Sequence, residues 1–397
     1  MNPATSDFLN ASRWVAAFFV VLQHVFHVTI NYSDIKDPSL FLRAANFFGG
    51  FGHMAVIVFF VVSGYLVGGR AILYFKDKGF SARDYSIHRF SRIYTVLIPA
   101  LIVGSMLDWS GIAFFNASGI YNHPDAFYGN AFGNDMAKHL SFGIFLGNLL
   151  QLQTITVSSL GSNAPLWSLA NEWWYYVVFG FFMVAYRSRR MRTRVVATGA
   201  MLTIIMFLPL QISLWLAFWA VGVAVAVLSR FWAGWSFTTG AIILVVFLIG
   251  VRWIGPRLWS FGVATGLATD FALDLAVALG YAIVLLCAKN LKDRLKFRSL
   301  HRALASFSYT IYLVHFPAMV FLAAFMKDVL DIGFARQPGV AATIYAGALL
   351  VTLYGCAWIF AALTEAHTDV IRSRLSLVIP DLLSARRRLG PAKPRPG

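Results

Sequence analysis

Negative charge is scarce in this chain of 397 residues. Its 17 aspartates and glutamates stand against 33 lysines and arginines, and only Glu172 and Glu365 are glutamates. Charged residues of both signs make up 13% of the chain, where a soluble domain carries about 25%, which excludes an ordinary water-soluble globule. Cysteine is nearly absent too. Cys287 and Cys356 are the only two, both in apolar stretches, so they read as small buried hydrophobes and exclude a disulfide framework or a thiolate zinc site. The N-terminus lacks the basic segment and small-residue cleavage pattern of a removable signal peptide, so the first apolar run is expected to remain as a membrane helix. No internal repeat is visible, and the longest outer loop, about 110–140, is too short to bury a core of its own.

What is present is apolar sequence: 59% of residues are hydrophobic and the mean hydropathy is +0.68. Stretches of roughly 17–25 residues, long enough to span a bilayer, fall at 14–30, 52–69, 93–109, 167–186, 195–210, 212–229, 235–251, 270–288, 305–325 and 340–362. The segment 142–157 is apolar but short and carries Asn148, Gln151 and Gln153. Counting it as a crossing would put RSRRMRTR at 187–194 opposite the basic loop 70–92, against the positive-inside rule. It is therefore read as a re-entrant or interfacial piece, tolerated at membrane depth only when packed in protein or lining a cavity. The expected fold is an all-α integral membrane protein of about ten spans plus that piece. Both termini are cytoplasmic, with one membrane domain over 1–366 and a basic cytoplasmic tail over 367–397. Most of the 33 basic residues then lie inside, leaving Lys36, Arg43, Lys138, Arg252, Arg257, Lys327 and Arg336 outside. Topology thus accounts for the net charge of +16, and the partner it implies is an anionic lipid surface rather than nucleic acid.

The chain is arranged around its first span, RWVAAFFVVLQHVFHVTI at 13–30. Ionisable groups at membrane depth cost at least ~2.5 kcal/mol and are functional candidates by default. Arg13 and His24 are eleven residues apart, about three helical turns and roughly 16 Å of rise, on nearly one face; His27 shares it. The pattern is a polar stripe from a basic mouth to a titratable imidazole. In the loop 70–92, His88 precedes Arg89-x-x-Arg92, two guanidinium groups on one helix face, suited to phosphate oxygens though equally able to set topology. Glu172, walled by Trp173, Trp174, Tyr175 and Tyr176, is a desolvated carboxylate suited to orienting a histidine. His24, His27 and Glu172 are permissible metal ligands, but nothing fixes tetrahedral closure and no metal is expected. Gly64 reads as helix packing, Ser63 of the second span, Trp167 and Ser168 of the fourth and Tyr312 and His315 of the ninth as substrate-facing or structural polar positions, and Asp270 and Asp274 as helix-start residues.

Taken together, Arg13-x10-His24, FFVVSGYLV at 59–67, Arg89-x-x-Arg92, PLWSLANE ending at Glu172 and SYTIYLVHFP at 308–317 resemble acyltransferase family 3 over about residues 10–365. In place of the family's acidic residue and proline after the tenth span stands Thr364-Glu365-Ala366-His367, without the proline. The resemblance implies an integral-membrane O-acyltransferase of the bacterial inner membrane. Its co-substrate would be acyl-CoA, most simply acetyl-CoA, with no permanently bound cofactor, and its acceptor a hydroxyl of a saccharide or glycan. On that reading Arg13, His88, Arg89 and Arg92 meet the CoA phosphates and His24 is the general base, oriented by Glu172. An acyl-histidine intermediate is a second route. Ser63, Tyr312 or a tryptophan N–H could serve as oxyanion donor. The competing reading is a proton-coupled transporter or flippase, against which stands the lack of an inverted repeat.

Overall fold

The computed structural model describes residues 2–30, 40–78, 80–115, 117, 119–121, 136–232, 234–260, 266–333 and 338–379. Among them every regular element is helical. Helix α1 (Pro3–Thr29) starts with Pro3 in its first turn and Asn2 as its cap, whose side-chain oxygen accepts from the amide of Ala4, the usual way to satisfy an orphan helix-start N–H. Then come α2 (Leu40–Gly49) and α3 (Gly52–Ser63). The π segment Gly64–Gly69 carries α3 on into α4 (Arg70–Lys78). Long α5 (Ala82–Phe114) and short α6 (Phe142–Leu149) precede α7 (Trp167–Arg187), α8 (Met191–Phe207) and α9 (Leu210–Leu228). The chain continues as α10 (Phe237–Ser260), α11 (Leu267–Cys287), α12 (Arg298–Ser306), α13 (Ser308–Leu330), α14 (Val340–Leu363) and α15 (Thr368–Val378).

Eight helices among the described residues are long and apolar enough to cross a membrane, the architecture of a multi-pass membrane protein. They cover eight of the expected spans. The stretches 167–186 and 195–210 are helical too, as α7 and α8, but α7 is diluted by Ser168, Asn171 and Glu172, and α8 has only 17 residues. Outward-facing apolar side chains, such as Val245, Val246, Ile249 and Trp253 on α10 and Ile344, Val351 and Trp358 on α14, are exposed; a surface so continuously apolar suits lipid, not water. Cys356 lies on this surface, correcting the expectation that both cysteines are buried; only Cys287 is.

Helix contacts set the depth of each polar residue. Gln23 of α1 packs on Gly52 at the start of α3, so the two helices run antiparallel. Arg13 and His24 of α1 meet Ser308 and His315 of α13, so these two ascend together. Gly64 and Gly222 bring α3 and α9 into backbone contact: a Cβ on Gly64 would stand 1.9 Å from the carbonyl oxygen of Trp219, and one on Gly222 2.0 Å from that of Val61. This close approach is the packing role expected for Gly64.

The segment 142–157 is not a span. Helix α6 has eight residues, about 12 Å of rise, and then turns back. Its polar residues are internal struts. Asn148 donates to the carbonyls of Ile144 and Ser158 and accepts from the amide of Leu160, and Gln153 donates to the carbonyl of Leu166. Asp108 of α5 accepts from both the amide and the hydroxyl of Ser162 at 2.8 Å, and Asn163 donates to the carbonyl of Leu313. These bonds hold the approach to α7. Lys36, Arg336, residues 122–135 of the outer loop and 380–397 of the basic tail lie outside the described residues.

Candidate active site

A cavity of about 770 Å³ lies among α1, α3, α4, α5, α7, α13 and the junction of α14 with α15. Its wall is strongly cationic. Arg13, Arg70, His88, Arg89, Arg92 and Arg372 line it, faced by Glu172, Glu365 and Asp369. The arginines of the Arg-x-x-Arg pair are in different states. Arg92 Nη1 donates to Glu365 Oε1 at 2.6 Å, and its guanidinium stands over the Tyr309 ring at 5.0 Å. Glu365 Oε2 in turn accepts from the amide and hydroxyl of Thr310. Among the described residues no carboxylate pairs with Arg89. Its guanidinium lies 5.6 Å from the Tyr176 ring and 5.9 Å from that of Tyr85, and its buried Nε has no hydrogen-bond partner. Arg13 Nη2 donates to the Ser308 hydroxyl at 3.2 Å. At the exposed mouth, Arg372 donates to His88 Nδ1 and pairs with Asp369.

One wall carries a directed hydrogen-bond chain. Glu172 Oε1 can only accept from the Tyr176 hydroxyl, so Tyr176 spends its proton there. Ser63, 3.0 Å away, must then donate to Tyr176, and the indole N–H of Trp219 donates to Ser63. At the inner end of the cavity the Tyr312 hydroxyl donates to the carbonyl of Pro165 and accepts from Ser168, with the Phe59 ring edge-on to it. Here the cavity stops.

His315, one turn beyond Tyr312, is 1% exposed. Its Nδ1 faces the backbone carbonyls of Ile311 and Tyr312, both at 2.9 Å. Carbonyls only accept, so Nδ1 carries the proton and Nε2 is an acceptor. The atom 2.9 Å from that Nε2 is Nδ1 of His24, which must donate. Neutral His24 therefore holds its free lone pair on Nε2. Two carbonyls thus set the tautomer of a base on another helix.

The sequence-derived residues therefore divide. Arg13, His88, Arg89, Arg92, Ser63, Ser168, Glu172 and Tyr312 share the cavity wall. His24 and His315 are paired beyond its end. Two expectations are corrected. His24 takes His315, not Glu172, as its orienting partner, because Glu172 is committed to Tyr176. The polar stripe is also interrupted by the Tyr312–Ser168 pair rather than open up to His24. Trp167 packs on Phe60 and Trp215, and His27 is exposed in the last turn of α1. Asp274 is more than a helix-start residue: it is buried and pairs with His53. Tyr176, Thr310, Arg70 and Arg372 were not foreseen. Tyr176 stands four residues after Glu172, one helical turn on the same face, and was readable; Arg372 is 284 residues from His88, with no local signal.

The described residues thus form a helical, membrane-type bundle around an arginine-rich chamber, with a tautomer-locked histidine pair beyond its end. Residues 6–361 match the family described as Acyltransferase domain, and the chain belongs to that acyltransferase family. It is 28% identical over 176 residues to an O-acetyl transferase of Shigella phage Sf6, covering 44% of this chain and 45% of that one. It is 30% identical over 139 residues to an uncharacterized protein of Haemophilus influenzae, covering 34% and 50%. The chain thus spans about half the length of these curated relatives. No solved structure matches it.

Proposed function

We propose that this protein is a membrane O-acyltransferase that moves an acyl group, acetyl in the simplest case, from cytosolic acyl-CoA to a hydroxyl of a saccharide or glycan. The reading rests on the arginine-lined cavity whose closed end abuts the His24–His315 pair. Family membership and the similarity to a phage O-acetyl transferase support it. The CoA phosphates would lie against Arg13, Arg70, Arg89 and Arg372, with the unpartnered Nε of Arg89 free to donate to an oxygen. The thioester then points toward Tyr312, where the Tyr312–Ser168 bond must open to admit it. His24 Nε2 takes the proton of the acceptor hydroxyl as its oxygen attacks the thioester carbonyl. The C–O ester bond forms, the C–S bond breaks, and the thiolate leaves to regain the proton as CoA–SH. Glu172 is a positioning residue, holding the Tyr176 ring beneath Arg89.

The test uses purified protein in liposomes with radiolabelled acetyl-CoA and a panel of saccharides. Label enters an alkali-labile ester with the wild type. His24→Ala lowers that rate about 10²–10⁴-fold, the usual range for a general base, while acetyl-CoA binding persists. Retained transfer in folded His24→Ala protein overturns the assignment of the base. Net solute flux without ester formation makes the protein a transporter.

A further inference from the structure

At the end of the bundle opposite the arginines lies a second polar group that the scheme above does not use. His53, in the first turn of α3, donates from Nε2 to Asp274 Oδ1 of α11 at 2.9 Å. The pair is unevenly covered: the Asp274 side chain is 6% exposed and that of His53 47%. The second carboxylate oxygen, Asp274 Oδ2, is buried and has no partner among the described residues. Trp215 of α9 stands edge-on to the His53 ring with centroids 5.7 Å apart, and its indole N–H is likewise buried and unpartnered. The Trp167 ring packs against Trp215 at 5.2 Å. Gln23, on Gly52 beside His53, carries a third buried polar atom, Oε1, without a partner among the described residues, and it is next in sequence to His24.

Three unanswered polar atoms, two acceptors and one donor, thus belong to residues that pack on His53 or on its chain neighbour Gly52. Buried polar groups are normally paired, and each exception calls for a ligand, a water or strain to explain it. The chemistry that answers this set is a polyhydroxylated ring. Sugar hydroxyls donate to the carboxylate and amide oxygens and accept from the indole N–H, and the half-exposed His53 ring is the part of the group open to a ligand. We propose that His53, Asp274, Trp215 and Gln23 bind the acceptor, a pyranoside of a saccharide, and present one hydroxyl toward His24 from the side opposite the acyl-CoA chamber. This proposal rests on the acyl-transfer reading above.

The full-length protein in liposomes, with acetyl-CoA and methyl β-D-glucoside as the probe sugar, tests it. The expected result is transfer by the wild type, with the KM for the glucoside raised about tenfold or more in Asp274→Asn and the acetyl-CoA Kd within about twofold of wild type. Trp215→Phe removes the indole N–H together with part of a buried ring packed on Phe60, Trp167 and Phe218, so its Tm is measured alongside; in folded protein it raises the same KM about threefold to tenfold. Unchanged glucoside KM in both variants means that only water occupies the group, and the proposal fails. An equal rise in the acetyl-CoA Kd assigns these residues a structural role and also overturns it. Wild-type protein that binds acetyl-CoA yet acylates no glucoside overturns the sugar site while leaving the acyl-CoA reading intact. A wild type that does not bind acetyl-CoA removes that reading itself.

Discussion

Arg89 and Arg92 stand one turn apart on α5, yet only Arg92 has its charge answered by a buried carboxylate, Glu365, at 2.6 Å. That difference separates binding from architecture. Arg92→Gln leaves the Glu365 carboxylate buried without its cation, and breaking a pair in this way costs about 3 kcal/mol. A lowered Tm is therefore expected, partly restored in the Arg92→Gln/Glu365→Gln double variant. Arg89→Gln leaves no such orphan. Its Tm stays near that of the wild type while the Kd for acetyl-CoA rises about tenfold, the loss of a charge-assisted bond to phosphate. A matching fall in Tm for both single variants sinks the distinction. His315 is a second case of action through a neighbour. Since its Nδ1–H is held by two backbone carbonyls, His315→Ala frees His24 to adopt the unproductive tautomer. The expected outcome is a kcat drop of about 10²-fold with acetyl-CoA Kd unchanged, measured by single-turnover kinetics and equilibrium binding.

The contact of α3 with α9 includes a direct backbone approach at Gly64 and Gly222, and Ser63 of the Glu172 chain accepts from Trp219 beside it. Gly222→Ala places a methyl group 2.0 Å from the carbonyl oxygen of Val61, so one helix must move. Overpacking of this kind costs typically ~1–3 kcal/mol. Both the thermal transition and, because Trp219 then shifts from Ser63, the affinity for acetyl-CoA should fall. A transition within about 1 °C of wild type would show that the helices are not in contact there. The short α6 shows why hydropathy misleads in a single segment. Its composition matches a membrane helix, but Asn148 and Gln153 bond to backbone groups 10 and 13 residues further along the chain, which turns the segment back on itself.

Across the whole molecule, polar groups collect at two ends, the arginine chamber at one and the His53–Asp274 pair at the other, with His24–His315 between. The charge distribution predicts that the arginine end faces the cytosol. In a Cys356→Ser background, a cysteine replacing Arg189 is expected to react with an impermeant maleimide only from the cytosolic side, and one replacing Ala117 only from outside. The reverse pattern inverts the topology and with it the access of CoA to the cavity. Impermeant labelling of right-side-out and inverted vesicles makes the measurement.

Much of this was legible in the linear chain, because hydropathy and net charge are local sums. The apolar runs marked the spans, and the motif residues around Arg13, Arg89, Glu172 and Tyr312 do line one cavity. Spacing on α1 alone put Arg13 and His24 on nearly one face. What the chain could not disclose is pairing between distant segments. His24 and His315 are 291 residues apart, as His53 and Asp274 are 221 apart. Glu172 was a reasonable partner for a histidine until the fold supplied Tyr176 at hydrogen-bond distance and committed its carboxylate there. Which carboxylate meets which ring depends on helix packing, and packing is settled by shape complementarity over the whole bundle; the composition of a segment records only that it enters the bilayer.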